Sequence, residues 1–105
     1  MALDVFWANA ALADLEFAAE YIARDSPRYA AVLVGEAKAA AASLDEFSKR
    51  GRIVPEINDS DIRELFVCNY RMIYQIEGQT VYVIGFIHGS RDLWALWKKQ
   101  PNRKQ

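Results

Sequence analysis

The strongest constraint on the fold is the stretch of residues 62–92, which contains three apolar runs separated by two short polar breaks, Cys68-Asn69 and Gly78-Gln79. The runs are rich in Ile, Val, Tyr and Phe, residue types that favour strands. Two-residue breaks between such runs are typical of hairpin turns. The stretch therefore predicts three consecutive antiparallel strands.

Two-residue turns would also set the register, with Val67 opposite Tyr70, Met72 opposite Gly85 and Arg71 opposite Phe86. One face of the predicted sheet is then almost entirely apolar and is expected to pack against helices; it collects Leu65, Val67, Tyr70, Met72, Tyr74, Ile76, Val81, Val83 and Ile87. The other face is mixed and collects Ile62, Glu64, Phe66, Arg71, Ile73, Tyr82, Ile84, Phe86 and His88.

Two alanine-rich helices precede these strands. The first is predicted from a candidate N-cap at Asn9 to about Arg24, because apolar residues recur at helical spacing along one face. The second is predicted from Pro27 to Phe47, with Ser26 as its N-cap. The inner stripes of the two helices are Leu12, Leu15, Ala19 and Ile22, and then Ala30, Leu33, Ala37, Ala40, Leu44 and Phe47.

The ends of the chain complete the predicted order of elements. Alternating residues 3–7 predict a short first strand, residues 91–100 a short terminal helix and residues 101–105 a frayed tail. The order β-α-α-β-β-β-α predicts an α+β fold, with a helical hairpin packed on one face of an antiparallel sheet of about four strands. A length of 105 residues is expected to form a single domain, residues 1–105.

Composition narrows the functional classes. The net charge of −1 hides a division between residues 1–48, with eight acidic and three basic residues, and residues 49–105, with six acidic and ten basic residues. These charges form either solvated faces or surfaces for partners of opposite sign.

No run is long enough for a membrane span, no signal peptide is recognisable, and the single Cys68 suits a reduced cytoplasmic protein. One Cys and one His predict no metal site, and no cofactor motif is present.

Chemistry could reside in one loose cluster at the strand ends. His88 could act as a general acid or base beside guanidinium groups that hold a phosphate, as cleavage of RNA would require. The alternative is structural: a lone histidine without a catalytic role, and an ion pair between Arg71 and Glu64 or Asp92. The cluster consists of His88, Arg71, Arg91 and Arg63, with Glu64 beside them.

Partner binding has its own candidates. Trp94 and Trp97 would either fold back into the core or remain exposed as anchors for a partner, and Lys98 and Lys99 follow them. Arg52 lies in a basic cluster that is either a set of cations near a helix C-terminus or a phosphate-contacting edge.

The chain resembles the RelE/ParE superfamily of bacterial type II toxins over nearly its whole length. The motifs that carry the resemblance are an early strand ending in Trp7, then Asp14-Leu15, Tyr21-Ile22, Asp25-Ser26-Pro27, residues 51–56 (Gly-Arg-Ile-Val-Pro-Glu), residues 62–65 (Ile-Arg-Glu-Leu), residues 70–74 (Tyr-Arg-Met-Ile-Tyr) and residues 88–92 (His-Gly-Ser-Arg-Asp). Asp25-Ser26-Pro27, Gly51-Arg52 and the His-Gly-x-Arg-Asp motif are closer to ParE than to RelE.

The resemblance implies a cytoplasmic toxin of a plasmid-stabilisation module, neutralised by a cognate ParD- or RelB-like antitoxin that wraps over its helices and sheet. A ParE-like toxin would inhibit DNA gyrase without being an enzyme. A RelE-like toxin would be a ribosome-dependent mRNA endonuclease using His88, Arg71, Arg91 and Arg63. A third possibility is an inactive toxin that only binds its antitoxin. Candidate partner-binding residues are Trp94, Trp97, Lys98, Lys99, Arg52, Leu12 and Tyr21.

Overall fold

The computed structural model describes residues 2–90, which form two helices and a five-stranded sheet. The elements are β1 (Asp4–Trp7), α1 (Asn9–Ala23), α2 (Pro27–Ala42), β2 (Arg52–Ile53), β3 (Ile62–Val67), β4 (Tyr70–Glu77) and β5 (Thr80–His88), with a 3-10 turn (Ser43–Asp45) after α2. The predicted terminal helix and the tail at 101–105 lie outside the described residues. None of the helices within residues 2–90 is long and apolar enough to cross a bilayer.

The helical hairpin is confirmed, with differences at its ends. Ser26 caps α2 by accepting a hydrogen bond from the Tyr29 backbone N–H at 3.1 Å. The predicted cap at Asn9 is wrong, because Asn9 is already helical and the capping position belongs to Ala8, which has no side chain to accept. The second helix ends at Ala42 rather than Phe47, and Phe47 is 62% exposed instead of lying on the inner stripe.

The predicted α+β architecture is confirmed, although the sheet contains five strands and is mixed. Its order is β1-β5-β4-β3-β2, and β1 pairs parallel to β5 while all other neighbours are antiparallel. The two strands of the parallel pair are far apart in the chain, because the helical hairpin and strands β2, β3 and β4 lie between β1 and β5. The fifth strand is the two-residue β2, which pairs with the start of β3.

Both two-residue hairpin turns are confirmed, but a bulge changes the register beyond them. Val67 pairs with Tyr70 as predicted. Between β4 and β5, Ile73 pairs with Gly85 but Tyr74 pairs with Val83, so Ile84 is the extra residue of a β-bulge. Met72 therefore faces Phe86 rather than Gly85, and Arg71 faces Ile87 rather than Phe86.

The bulge exchanges the faces of the last residues of β5. Phe86 is 2% exposed and lies in the main core between the sheet and the hairpin, whereas Ile87 packs on the other side. Both residues were predicted on the opposite faces. His88 pairs with Tyr70 and moves with Phe86 to the helix side of the sheet, because a one-residue insertion inverts every later side chain.

The far face of the sheet, which points away from the helices, is partly covered by the connection between β2 and β3. Val54 is fully buried there with Ile62 and Ile73 in a second, smaller core. The far face is thus covered in part over β3 and β4, although Phe66 of β3 is exposed. Over β1 and β5, Phe6 and Tyr82 remain exposed.

Candidate functional site

Among residues 2–90, the structure does not bring the members of the predicted catalytic cluster together. Arg71 lies on the far face, among the residues that contact the connection between β2 and β3. His88 lies on the helix side, with its ring edge-on to Tyr70 at a centroid distance of 5.3 Å. The sheet separates the two side chains, and Arg91 lies outside the described residues. The reason is the bulge at Ile84, which the sequence pattern did not reveal.

The guanidinium of Arg71 is fully engaged by two carboxylates. It donates from Nη1 and Nη2 to the two oxygens of Glu56 at 2.9 and 2.8 Å, and from Nε to Oε1 of Glu64 at 2.5 Å. Its side chain is 6% exposed. This is the paired, hydrogen-bonded arrangement that a buried charge requires, and the alternative of an ion pair with Glu64 is confirmed.

Glu64 is the centre of this network. Its side chain has no exposed surface, and its second oxygen accepts a 2.6 Å hydrogen bond from Nε of Arg52. Arg52 is 57% exposed and lies over the ring of Phe66 at 5.2 Å. The two arginines and two glutamates Arg52, Glu64, Arg71 and Glu56 balance in charge, so the group offers little attraction to a phosphate.

Arg63, the third predicted catalytic arginine, also has a structural role. Its guanidinium donates to the backbone carbonyls of Ser60 and Gly51, both at 2.9 Å, and more weakly to that of Lys49 at 3.4 Å. These bonds hold the residues before β2 and the end of the connection against the start of β3. In the sheet register Arg63 pairs with Tyr74 and His88 pairs with Tyr70, so the two lie four residues apart along β4.

The hydrogen bonds from Arg71 lower the pKa of Glu56 below its ordinary value, against the opposing effect of burial. The same bonds raise the pKa of Arg71. Burial raises the pKa of the Tyr70 hydroxyl and of the Tyr74 hydroxyl, so both stay protonated at neutral pH. Burial, with Glu36 nearby, raises the pKa of the Cys68 thiol, which is the opposite of what a nucleophilic cysteine requires.

A pH prediction follows for Glu56. Because its pKa is lower in the folded chain, its contribution to stability is complete above the unfolded-state value of about 4.3 and is lost as the pH falls through the folded-state value. Glu56→Gln is therefore expected to give a flatter dependence of unfolding free energy on pH below about 4.5, together with lower stability at pH 7. Urea titrations from pH 7 to pH 2 measure this. The matched control is Glu77→Gln at the exposed end of β4, and equal slopes for wild type and Glu56→Gln would contradict the prediction.

The helical hairpin presents a separate candidate surface, which we call the hairpin surface. Between α1 and α2 it contains an apolar groove of about 570 Å³, lined by Ala19, Ala23, Ala31, Val34 and Gly35 among others. The two helices also carry exposed apolar side chains outside the groove lining, and the predicted partner residues Leu12 and Tyr21 are among them. They are Leu12, Phe17, Tyr21, Tyr29 and Val32, with exposures of 37%, 70%, 60%, 49% and 42%.

Of the other predicted partner residues, Arg52 is exposed but is bound to Glu64 on the far face. It therefore does not lie on the hairpin surface. Trp94, Trp97, Lys98 and Lys99 lie outside the described residues. Sequence reasoning missed Phe17 and Tyr29, whose spacing from the buried stripes would have placed them on the solvent side of their helices.

Comparison with known families identifies what this architecture is. The sequence model described as "ParE toxin of type II toxin-antitoxin system, parDE" matches residues 5–93. The chain belongs to the ParE toxin family. The resemblance to the RelE/ParE superfamily is thereby confirmed, on the ParE side. Comparison with curated protein sequences finds no match.

A solved structure shares the ParE fold of this chain. It is titled "Chromosomal ParDE TA system from P. aeruginosa" and aligns with a TM-score of 0.67 at 17% sequence identity. The alignment covers 82% of this chain and 95% of the other chain. At this identity the likeness shows the shared fold of two helices on a sheet.

Proposed function

We propose that this ParE-family chain acts in the cytoplasm by inhibiting DNA gyrase, that it is not a nuclease, and that a cognate antitoxin neutralises it. The observation that carries the proposal is the Arg52–Glu64–Arg71–Glu56 network. It engages the guanidinium of Arg71, which RNA cleavage would need, and holds it on the far face, while His88 lies on the helix side.

Cleavage of a phosphodiester needs cations directed at the charge that develops on phosphorus, close to the general acid or base. In this chain Arg71 is neutralised by two carboxylates and is 5% exposed. Arg63 is bound to backbone carbonyls. A role in gyrase inhibition demands no such group, because inhibition by binding depends on a surface and not on a reactive side chain.

The hairpin surface supports the antitoxin part of the proposal. An amphipathic segment placed in the apolar groove would contact Ala19, Ala31 and Val34, which line it. The same two helices expose Phe17, Tyr21 and Tyr29, and aromatic side chains are common anchors in protein interfaces. The two helices carry four acidic and two basic residues, which favours a segment with basic residues at its edges. The solved relative is itself titled as a ParDE toxin–antitoxin system.

The test uses purified DNA gyrase and the full chain. We expect inhibition of supercoiling and accumulation of cleaved DNA–gyrase complexes at micromolar protein, with His88→Ala as potent as the wild-type chain. In parallel, messenger RNA is examined after induction in cells without the antitoxin, and we expect it to remain intact. Cutting at the ribosomal A site that is abolished by His88→Ala would replace the proposal with a nuclease. Normal growth on induction would indicate a chain that only binds its antitoxin.

A further inference from the structure

The part of the far face that remains uncovered holds a pair of aromatic rings. Phe6 on β1 and Tyr82 on β5 are partners in the sheet register, and their rings stack with centroids 6.2 Å apart. Phe6 is 53% exposed and Tyr82 37%. Single exposed aromatics are common on proteins, but here the sheet holds two of them side by side. We call Phe6 and Tyr82 the aromatic strip.

The aromatic strip is rigidly supported. The backbone N–H groups of Asp4 and Ala8 donate to the carbonyls of Gln79 and Val83 at 3.0 and 2.9 Å, which fixes β1 against β5. Beneath the strip, the alternate residues of both strands pack into the main core. The small core under the connection between β2 and β3 reaches Ile84 on the same strand as Tyr82. A partner would therefore meet a preformed surface, which reduces the entropy cost of binding.

Within the described strands, the charged residues beside the strip are of one sign. Asp4 pairs with Thr80 in the row next to the rings, and Glu77 pairs with Thr80 from the other side. Both carboxylates are exposed. The far-face positions of β1, of residues 73–77 and of residues 80–84 include no Lys or Arg. Rings flanked by carboxylates attract a cation through both the quadrupole of the ring and the charge, and they repel a phosphate backbone.

We propose that the aromatic strip, with Asp4 and Glu77, is the surface through which this toxin contacts its target, a protein segment that carries an Arg or Lys beside an apolar side chain. The inference rests on the proposed function in that it assumes a target protein, but it does not require that the target be gyrase. The strip and the hairpin surface lie on opposite sides of the sheet, so substitutions in the strip leave the hairpin surface intact.

The first test replaces both rings. The double variant Phe6→Thr/Tyr82→Thr replaces the rings by threonine, a β-branched residue that favours strands. The control variant Phe47→Thr/Phe66→Thr removes two rings that lie outside the strip and are more exposed than those of the strip. We expect the strip variant to lose growth arrest on induction without the antitoxin, and to inhibit purified gyrase at least about thirtyfold less well, as for an interface hot spot. The control variant should match the wild type, and circular dichroism with urea unfolding verifies that both variants are folded.

The second test reverses the charges. Asp4→Lys/Glu77→Lys is compared with Glu46→Lys/Asp61→Lys, which changes net charge equally at exposed positions elsewhere. We expect only the first variant to weaken gyrase inhibition, by about tenfold, and the difference to shrink as salt is raised from 50 to 300 mM, since salt screens exposed charges.

Each outcome decides the inference. Growth arrest by folded Phe6→Thr/Tyr82→Thr at wild-type potency overturns it, and so does a wild-type chain that arrests nothing. Strip-dependent binding to DNA alone also overturns it, because the partner would then be a nucleic acid. If arrest depends on the strip while purified gyrase is unaffected by the wild-type chain, the gyrase proposal fails and the strip is assigned to another target protein.

Discussion

Replacing Glu64 by alanine is expected to lower the free energy of unfolding by about 3–5 kcal/mol, the range found when one partner of a buried ion pair is removed. Glu64 has no exposed side-chain surface and accepts from both Arg52 and Arg71. Without it, the buried guanidinium of Arg71 keeps only Glu56 as its partner. Urea unfolding followed by tryptophan fluorescence or circular dichroism measures the loss.

Two comparisons make the Glu64 result specific. Glu77→Ala removes an exposed glutamate from the neighbouring strand and is expected to change stability by no more than about 0.5 kcal/mol. Glu64→Leu combined with Arg71→Met removes both members of the buried pair and is expected to recover most of the loss. A Glu64→Ala variant within about 1 kcal/mol of the wild type would mean that the network contributes little. The structural reading of Arg71 would then need revision.

Replacing Gly51 by alanine is expected to lower the free energy of unfolding by about 3 kcal/mol through overpacking and broken hydrogen bonds. An alanine Cβ there would lie 2.6 Å from the Glu64 carbonyl oxygen and 2.7 Å from the Tyr74 hydroxyl oxygen. That hydroxyl accepts from the Gly51 N–H at 3.0 Å and donates to the Ser48 carbonyl at 2.7 Å. Since both neighbours are buried, neither can move aside freely.

Gly35 provides a control of opposite sign. A Cβ at position 35 meets nothing within 4 Å, and the residue lies inside α2. Gly35→Ala is therefore expected to raise the unfolding free energy by up to about 1 kcal/mol, the helix propensity difference. Both substitutions are measured by the same urea unfolding. If Gly51→Ala and Gly35→Ala changed the unfolding free energy equally, the close approach of Glu64 and Tyr74 to Gly51 would not be the reason that position needs glycine.

The hairpin turns and the capped helix could be read from the sequence because they depend on neighbouring residues. Ser26, which precedes Pro27, caps the start of α2 by accepting a hydrogen bond from the backbone N–H of Tyr29, three residues later. The two-residue breaks at Cys68-Asn69 and Gly78-Gln79 set the register beside each turn, and the positive φ angles of 54° at Cys68 and 60° at Gly78 show the backbone that such turns require. Such local structures can be predicted from sequence because the residues that cause them lie within a few positions of one another.

The candidate site could not be read in the same way. One inserted residue, Ile84, places His88 on the helix side, and an apolar residue in an apolar strand gives no sign of such an insertion. The partner of Arg71 was anticipated only in part. Glu64 is close in the strand register, but Glu56 reaches Arg71 only because the connection between β2 and β3 folds back over the far face.

The two helices and the three-stranded meander follow from local sequence patterns, because alternation, helical spacing and turn residues act over a few positions. The resemblance to the RelE/ParE superfamily could also be recognised from the motifs of the sequence. Only the three-dimensional packing places β1 parallel to β5, separates Arg71 from His88 through a bulge, and pairs the buried Arg71 with Glu56 and Glu64. These features depend on contacts between residues far apart in the chain. Their energies come from burial and charge pairing in three dimensions, which no short sequence window contains.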